Sequence, residues 1–172
     1  MNVWIASHEC AGIVEAGGVK NVTFSLCKEL QKAGTNVTLF IPVFKCTSYD
    51  QVQILEENFL SLEIPFCDKT EKISFTKARS KDYGFEVIFF NHPSFFEKEA
   101  VYTYTAQEEK LNPEHKKGWG HVDSKFKDVI FAKAVNEYGK MVSEDLIPDI
   151  IHCQDASTAT IPFFTSRNER LK

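Results

Sequence analysis

The amino-acid sequence predicts an α/β fold built on an open, mostly parallel sheet. Three observations lead to this prediction. A strand–helix–strand pattern ends at Pro42, a β-rich stretch follows it, and a second long helical pattern then leads into a short apolar strand. Strands that alternate with helices favour a parallel sheet with helices on both faces. We therefore expect a Rossmann-like sheet with a small β-hairpin at one edge, in a single domain of residues 1–172.

The first of these patterns is a βαβ unit. Residues 2–7 (NVWIAS) are typical of a short buried strand. From Val19 apolar residues recur at helical spacing, with Val22 among the inner positions, until Gly34 ends the helix. Residues 36–42 (NVTLFIP) then predict a second buried strand. Such a unit is right-handed in nearly all known cases.

The middle of the chain is rich in β patterns. Residues 49–66 and 72–82 are expected to pair as the hairpin at the sheet edge, and residues 87–90 (VIFF) as a central parallel strand. The polar residues 98–120 predict a long loop, which in a compact domain is usually functional or mobile.

The last third returns to helical periodicity. Residues 123–146 predict a helix whose inner face runs from Phe126 to Met141. Residues 149–155 (DIIHCQD) predict a strand, and residues 156–172 a helix that continues to the end of the sequence.

Composition narrows the possible functions. Hydrophobic residues make up 43% of the chain, which indicates a packed core. The net charge is −4 without a basic stripe, so we expect no nucleic-acid partner. No apolar run approaches the roughly 18 residues that span a bilayer, and the N-terminus does not resemble a signal peptide, so we expect no membrane association.

The cysteines and histidines do not suggest a metal site. The five cysteines are odd in number, widely spaced and without a C-x-x-C motif, and the five histidines do not fall at ligand spacing. Reduced thiols favour the cytoplasm as the location. We expect neither a metal nor another cofactor.

Two turns are candidate binding sites, because ligands of open α/β sheets bind beyond the carboxyl ends of the strands. The first turn ends in Gly17 and Gly18, directly before a helix, where free N–H groups can hold a phosphate. The second contains Gln154 and Asp155. Two glycines before a helix are also typical of a simple turn, and both interpretations stay open at this point.

Four stretches resemble, in order, motifs of bacterial glycogen synthases and plant starch synthases. Residues 15–42 (EAGGVKNVTFSLCKELQKAGTNVTLFIP) are similar to the opening K-x-G-G-L-x-D-V motif with its helix and strand. Residues 83–102 resemble the family's strand and N-P-x-x-F segment, and residues 120–135 its D-N-x-x-R-F helix. PDIIHCQDASTA, from Pro148 to Ala159, resembles the P-D-I-I-H-x-H-D-W motif.

The resemblance implies the N-terminal, acceptor-side domain of a two-domain GT-B glycosyltransferase. That family transfers glucose with retention, usually from ADP-glucose, to the end of an α-1,4-glucan and without a metal. The implied partners are therefore ADP-glucose or another sugar nucleotide, an α-glucan, and a C-terminal nucleotide-binding domain in cis or in trans. We expect the isolated chain to be inactive.

The resemblance also implies which residues meet the donor and the sugar. Gly17 and Gly18 would approach the donor phosphates, and Asp123 would lie near the reacting sugar. The family's lysine is replaced by Glu15, and its second motif histidine by Gln154. The implied donor- and sugar-binding residues are Glu15, Gly17, Gly18, Asp123, His152, Gln154 and Asp155. No residue is assigned as nucleophile or base, so the catalytic residues stay unknown.

Each retained motif residue also has a structural interpretation. His152 can be a hydrogen-bonded core histidine, while Asp123 and Asp155 can be helix caps. The alternatives for the whole chain are a non-catalytic relative that binds glucan or a partner, and an unrelated Rossmann-like domain that binds another phosphorylated ligand.

Overall fold

The computed structural model describes residues 1–171. It contains six strands: β1 (Asn2–Ala6), β2 (Asn36–Pro42), β3 (Val52–Phe66), β4 (Lys69–Ser80), β5 (Glu86–Asn91) and β6 (Ile150–Cys153). The helices are α1 (Val19–Lys32), α2 (Pro93–Phe96), α3 (Ala106–Leu111), α4 (Ser124–Met141) and α5 (Ile161–Thr165), with short 3₁₀ turns at Glu144–Leu146 and Ala156–Thr158.

All six strands form one sheet in the order β3-β4-β5-β2-β1-β6. Strands β5, β2, β1 and β6 are parallel to one another, and the β3–β4 hairpin continues the sheet in antiparallel fashion. The connection from β1 to β2 leads towards the hairpin edge of the sheet. The connection from β5 to β6 leads the opposite way, past β2 and β1 to the other edge. Right-handed crossovers therefore place α1 and α4 on opposite faces. The predicted fold class is confirmed.

The predicted hairpin at the sheet edge is present, but it is not small. Its strands are 15 and 12 residues long, well above the five or six residues of an ordinary strand. Near the tip, the ring of Phe66 packs 4.8 Å from that of Phe126 in α4. The hairpin is long because its end covers α4, which gives its apolar residues a place to be buried.

An aromatic cluster fills the space between the sheet and α4. Trp4 of β1 and Phe40 of β2 lie with ring centroids 4.9 Å apart, and both contact Tyr138 of α4 at 5.6 and 5.1 Å. Phe75 of the hairpin reaches the same tyrosine at 5.4 Å. Offset and edge-to-face ring pairs are the favoured aromatic geometries. This packing joins β1, β2 and the hairpin to α4.

Three details of the sequence prediction are wrong. Val22 and Met141, expected on inner helix faces, are 55% and 61% exposed, because neither points at the sheet. The predicted long helix after β6 is broken into a 3₁₀ turn and α5, since Asp155 has a positive φ and a new helix begins at Ile161 with Pro162 in its first turn. The loop of residues 98–120 contains α3, whose capping box joins Thr105 and Glu108.

Candidate functional site

The two turns predicted to bind a ligand lie side by side. Strands β1 and β6 are adjacent and parallel, with Ala6 opposite Cys153. Immediately beyond them the backbone N–H of Gln154 donates to the carbonyl of Ala6 at 2.9 Å. Both turns therefore leave the sheet at the same edge, where open α/β sheets bind their ligands.

The glycine turn is organised by Glu9, which the sequence interpretation missed. The Glu9 side chain is 0% exposed. Its Oε2 accepts hydrogen bonds from the backbone N–H groups of Ala16, at 3.2 Å, and Gly17. Its Oε1 accepts from the hydroxyl of Tyr102 at 2.5 Å. The carboxylate thus ties the glycine turn to the loop of residues 98–120.

The contact with Glu9 also explains the glycine at position 17. A Cβ at Gly17 would lie 3.3 Å from Oε1 of Glu9, a close approach, whereas a Cβ at Gly18 would meet nothing within 4 Å. Because Glu9 already occupies the Ala16 and Gly17 amides, a ligand anion has the next N–H groups available to it. These belong to Gly18, Val19 and Lys20, where a helix leaves its first donors without intrahelical acceptors.

Glu15 makes its contacts within its own turn and with the start of α1. Its Oε2 pairs with Nζ of Lys20 at 2.8 Å, and its Oε1 accepts from the Gly12 N–H at 2.8 Å. The hydrogen bond from Lys20, followed by that from Gly12, lowers the pKa of this exposed carboxyl group. Glu15 lines a separate cavity of about 240 Å³ with Ser48 and Asp50. Lys20 therefore offsets part of its negative charge.

In the second turn the motif residues contact one another. Nε2 of His152 lies 2.9 Å from Oε1 of Gln154. Since that oxygen only accepts, His152 donates, and the Gln154 amide N–H groups are left to donate to a ligand. His152 is half-buried, so it is hydrogen-bonded as the structural interpretation expects but does not lie in the core.

Asp155 acts as a cap and also lines the crevice between the turns. It has φ of 68°, an uncommon value outside glycine, and its Oδ1 accepts from the Ala156 N–H at 2.7 Å. Thr158 stabilises the bend by donating through Oγ1 to the Gln154 carbonyl at 2.9 Å. The capping interpretation and the binding interpretation are thus compatible at this residue.

A cavity of about 200 Å³ lies at this edge of the sheet, and we call it the crevice pocket. It brings together the end of β1, the loop of residues 98–120, the start of α4 and the turn after β6. Its lining residues are His8, Val101, Tyr102, Ser124, Lys125, Lys127, Asp128, Asp155, Ala156 and Ser157.

Asp123 lies at the margin of this pocket, next to Ser124. It occupies the N-cap position of α4, but its side chain makes no capping hydrogen bond. Instead its Oδ2 pairs with Nζ of Lys98 at 2.9 Å, and its buried Oδ1 has no hydrogen-bond partner within residues 1–171. The capping interpretation from the sequence is therefore wrong for the side chain.

His8 is a further pocket residue without a signal in the sequence motifs. It is 3% exposed and its ring packs on Phe131, Phe95 and Phe44 at centroid distances of 5.2, 5.5 and 6.3 Å. Burial, assisted by the nearby Lys127, lowers its pKa to about 3. The imidazole is therefore neutral at physiological pH.

The described part of the chain contains neither a metal cluster nor a membrane-spanning helix. Residues 1–171 contain no group of three or more histidine, cysteine, aspartate or glutamate side chains arranged to hold a metal ion. Within the same residues, no helix is both long enough and apolar enough to cross a membrane.

Comparisons with known proteins agree on one family. The family model for the starch synthase catalytic domain matches residues 2–171. The chain is 28% identical over 172 residues to probable glycogen synthase 2 of Synechocystis sp. and 32% identical over 164 residues to probable glycogen synthase 2 of Nostoc sp.. Each alignment covers 93% of this chain and 29% of the relative.

A solved structure shows the same similarity. The catalytic domain of starch synthase IV from Arabidopsis thaliana, bound to ADP and acarbose, matches with a TM-score of 0.68 and 25% identity. The match covers 93% of this chain and 29% of that one. The chain therefore spans less than a third of the length of the relatives that it matches.

Proposed function

The chain belongs to the starch synthase catalytic-domain family, and we propose that it forms the N-terminal, acceptor-side domain of a glucosyltransferase. In this proposal residues 1–172 are one domain, and a C-terminal nucleotide-binding domain completes the enzyme in cis or in trans. The complete enzyme transfers glucose from ADP-glucose to an α-1,4-glucan. The relatives are more than three times as long as the matched region, which leaves room for that second domain.

The observation that carries the proposal is the adjacency of the two turns. The Gln154–Ala6 hydrogen bond of 2.9 Å brings the turn after β6 against the end of β1. In the proposed mechanism the amides at the start of α1 stabilise the departing diphosphate. The Gln154 amide donates to a sugar hydroxyl, and the negative charge of the Asp123 carboxylate stabilises the developing sugar cation. A cytoplasmic location is part of the proposal, supported by the free thiols of all five cysteines.

The second candidate function is a non-catalytic module that binds glucan or a partner. Two observations favour it. Glu9 occupies the Ala16 and Gly17 amides, and Glu15 stands where the family places a lysine. Both carboxylates lower the attraction of the glycine turn for a diphosphate.

We expect purified residues 1–172 to transfer no glucose, because the nucleotide-binding part of the proposed enzyme is missing. Incorporation of radiolabelled glucose from ADP-glucose into glycogen would measure this. Calorimetric titration with ADP and with maltoheptaose then separates the candidates. In the synthase proposal maltoheptaose binds, and ADP binds weakly through its diphosphate at the glycine turn, because the rest of its site lies in the C-terminal domain. Binding of maltoheptaose alone favours the module. Measurable glucosyl transfer by this chain alone would show that the proposed C-terminal domain is not needed for activity, and the proposal would be wrong.

Replacing Glu15 with lysine is expected to raise the affinity for ADP by about threefold to tenfold at low ionic strength. The change reverses one charge close to the glycine turn, and an exposed charge acts through water and is screened by salt. The gain should therefore shrink as sodium chloride is added. Calorimetry at two salt concentrations measures it.

Glu29→Lys is the matched control for this substitution. Glu29 is also exposed and also pairs with a lysine, Lys32 at 3.3 Å, but it lies near the other end of α1. The same charge reversal there should change ADP affinity much less. Equal gains from both variants would mean that net charge alone, and not the glycine turn, attracts the nucleotide.

A further inference from the structure

A buried lysine lies in the wall of the crevice pocket. Lys127, in the first turns of α4, is 3% exposed. Its Nζ lies 2.6 Å from Nδ1 of His121 and 3.4 Å from the carbonyl oxygen of Val101. It also lies 5.7 and 5.6 Å from the ring centroids of Phe44 and Phe95. All of these contacts are with neutral groups.

Lys127 has no counter-ion among residues 1–171. It forms no ion pair, and the carboxylate of Asp123 that acts on it is already paired with Lys98 at 2.9 Å. Asp128 and Glu108 also attract the ammonium charge from a greater distance, while Lys98 repels it. Burial is the largest influence and lowers the pKa of Lys127 to about 8. Because buried charges are normally paired, such an ammonium group is suited to an anion from outside the chain.

Two other polar atoms in the pocket wall, unlike Nζ of Lys127, have no hydrogen-bond partner in the described part of the chain. They are Nε2 of His8 and Oγ of Ser157, which come from the two turns that meet here. A neutral imidazole and a hydroxyl group both suit a ligand hydroxyl. The carboxylates of Asp128 and Asp155 also line the pocket. They would accept hydrogen bonds from ligand hydroxyl groups but repel a ligand that carries several negative charges.

We propose that the crevice pocket binds a small hydroxylated ligand through a single oxyanion group, which is seated at Nζ of Lys127. The hydroxyl groups of the ligand contact His8, Ser157 and Asp155. A cavity of about 200 Å³ is smaller than the roughly 300–1,000 Å³ of sites for drug-sized ligands, and it suits one sugar ring or part of one. Phosphate esters and carboxylates of monosaccharides share this chemistry.

This inference goes beyond the proposed function, because neither ADP at the glycine turn nor an uncharged glucan needs an anion at Lys127. It also stands independently of glucosyl transfer. Failure of ADP to bind would count against the synthase proposal, whereas the oxyanion site is tested by other ligands in separate titrations.

The test is calorimetric titration of the chain with glucose, glucose 1-phosphate, gluconate and inorganic phosphate. We expect at least one of the two anionic sugars to bind about tenfold or more tightly than glucose, since hydrogen bonds to charged groups are the stronger kind. If glucose 1-phosphate binds more tightly, the site prefers a phosphate ester, and if gluconate binds more tightly, it prefers a carboxylate. Phosphate alone should bind more weakly than glucose 1-phosphate, because it lacks the hydroxyl contacts.

Lys127→Met should abolish the preference for the anionic sugar. Lys140→Met is the matched control, since Lys140 lies in the same helix but outside the pocket, paired with Glu137 at 2.7 Å, and it should keep the preference. Without ligand, Lys127→Met should also raise the thermal midpoint by about 2–4 °C, because an unpaired buried charge is removed. A lysine that only stabilises the fold would lower the midpoint when replaced.

Ser157→Ala provides a second variant that does not touch the core. It should weaken binding of the anionic sugar severalfold and leave the thermal midpoint nearly unchanged. Equal affinity for glucose and both anionic sugars would overturn the proposal, as would the absence of binding below about 10 mM. Retention of the anion preference in Lys127→Met would overturn it as well.

Discussion

Replacing Glu9 with alanine is expected to lower the free energy of unfolding by about 2–3 kcal/mol. The substitution leaves the Ala16 and Gly17 amides and the Tyr102 hydroxyl without their common acceptor, and it opens a cavity at a fully buried position. Urea denaturation followed by circular dichroism measures the change. Hydrogen exchange of the Gly17 amide should accelerate by about 100-fold, because that amide then depends on solvent for its partner.

Tyr102→Phe separates the two halves of this interaction. It removes one hydrogen bond, of 2.5 Å, but leaves the carboxylate on the glycine turn. We expect a loss of about 1 kcal/mol and an unchanged exchange rate at Gly17. If both variants lost the same free energy and the Gly17 amide stayed protected in Glu9→Ala, Glu9 would not be the group that holds the turn.

The fold could be predicted from the sequence because its signals are local. The apolar runs of β1, β2 and β5 and the spacing of α1 and α4 each specify an element within a few residues. The order of these elements along the chain then allows only a few sheet topologies, since crossover connections between parallel strands are right-handed. The hairpin was also predicted, at residues 49–66 and 72–82, but its packing was not, because its end contacts Phe126, which is about 60 residues away in the chain.

The site could be predicted only where motif residues mark it. Gln154 and Asp155 were placed correctly next to the end of β1, because parallel neighbouring strands share an edge. Glu9, His8 and Lys127 were not found, because their roles depend on burial and on partners from other segments. An acidic or basic residue that is buried by long-range packing looks like any other charged residue in the sequence.

Acid should destabilise the chain strongly, and His8 should be a major cause. The pKa of His8 is about 3 in the folded chain, against an ordinary 6.5 when unfolded. Between these values the unfolded state binds the proton and the folded state does not, so the stability present above about pH 6.5 is lost as the pH falls. One pKa unit is worth about 1.4 kcal/mol, so this histidine alone should cost about 3 kcal/mol between pH 7 and pH 4.5.

His8→Gln isolates this contribution, because glutamine does not titrate. The free energy of unfolding of the variant, measured by urea denaturation at both pH values, should fall by about 3 kcal/mol less than that of the wild type. His121, whose pKa is lowered to about 4 by burial and then by Lys127 and Lys98, makes the wild type and the variant acid-sensitive alike. The lowered pKa of Glu108 does the same. If the free energies of unfolding of the wild type and the variant fell equally with pH, His8 would be accessible to water and able to take up a proton in the folded state. The neutral imidazole beside Lys127 would then be lost as a partner for a ligand hydroxyl.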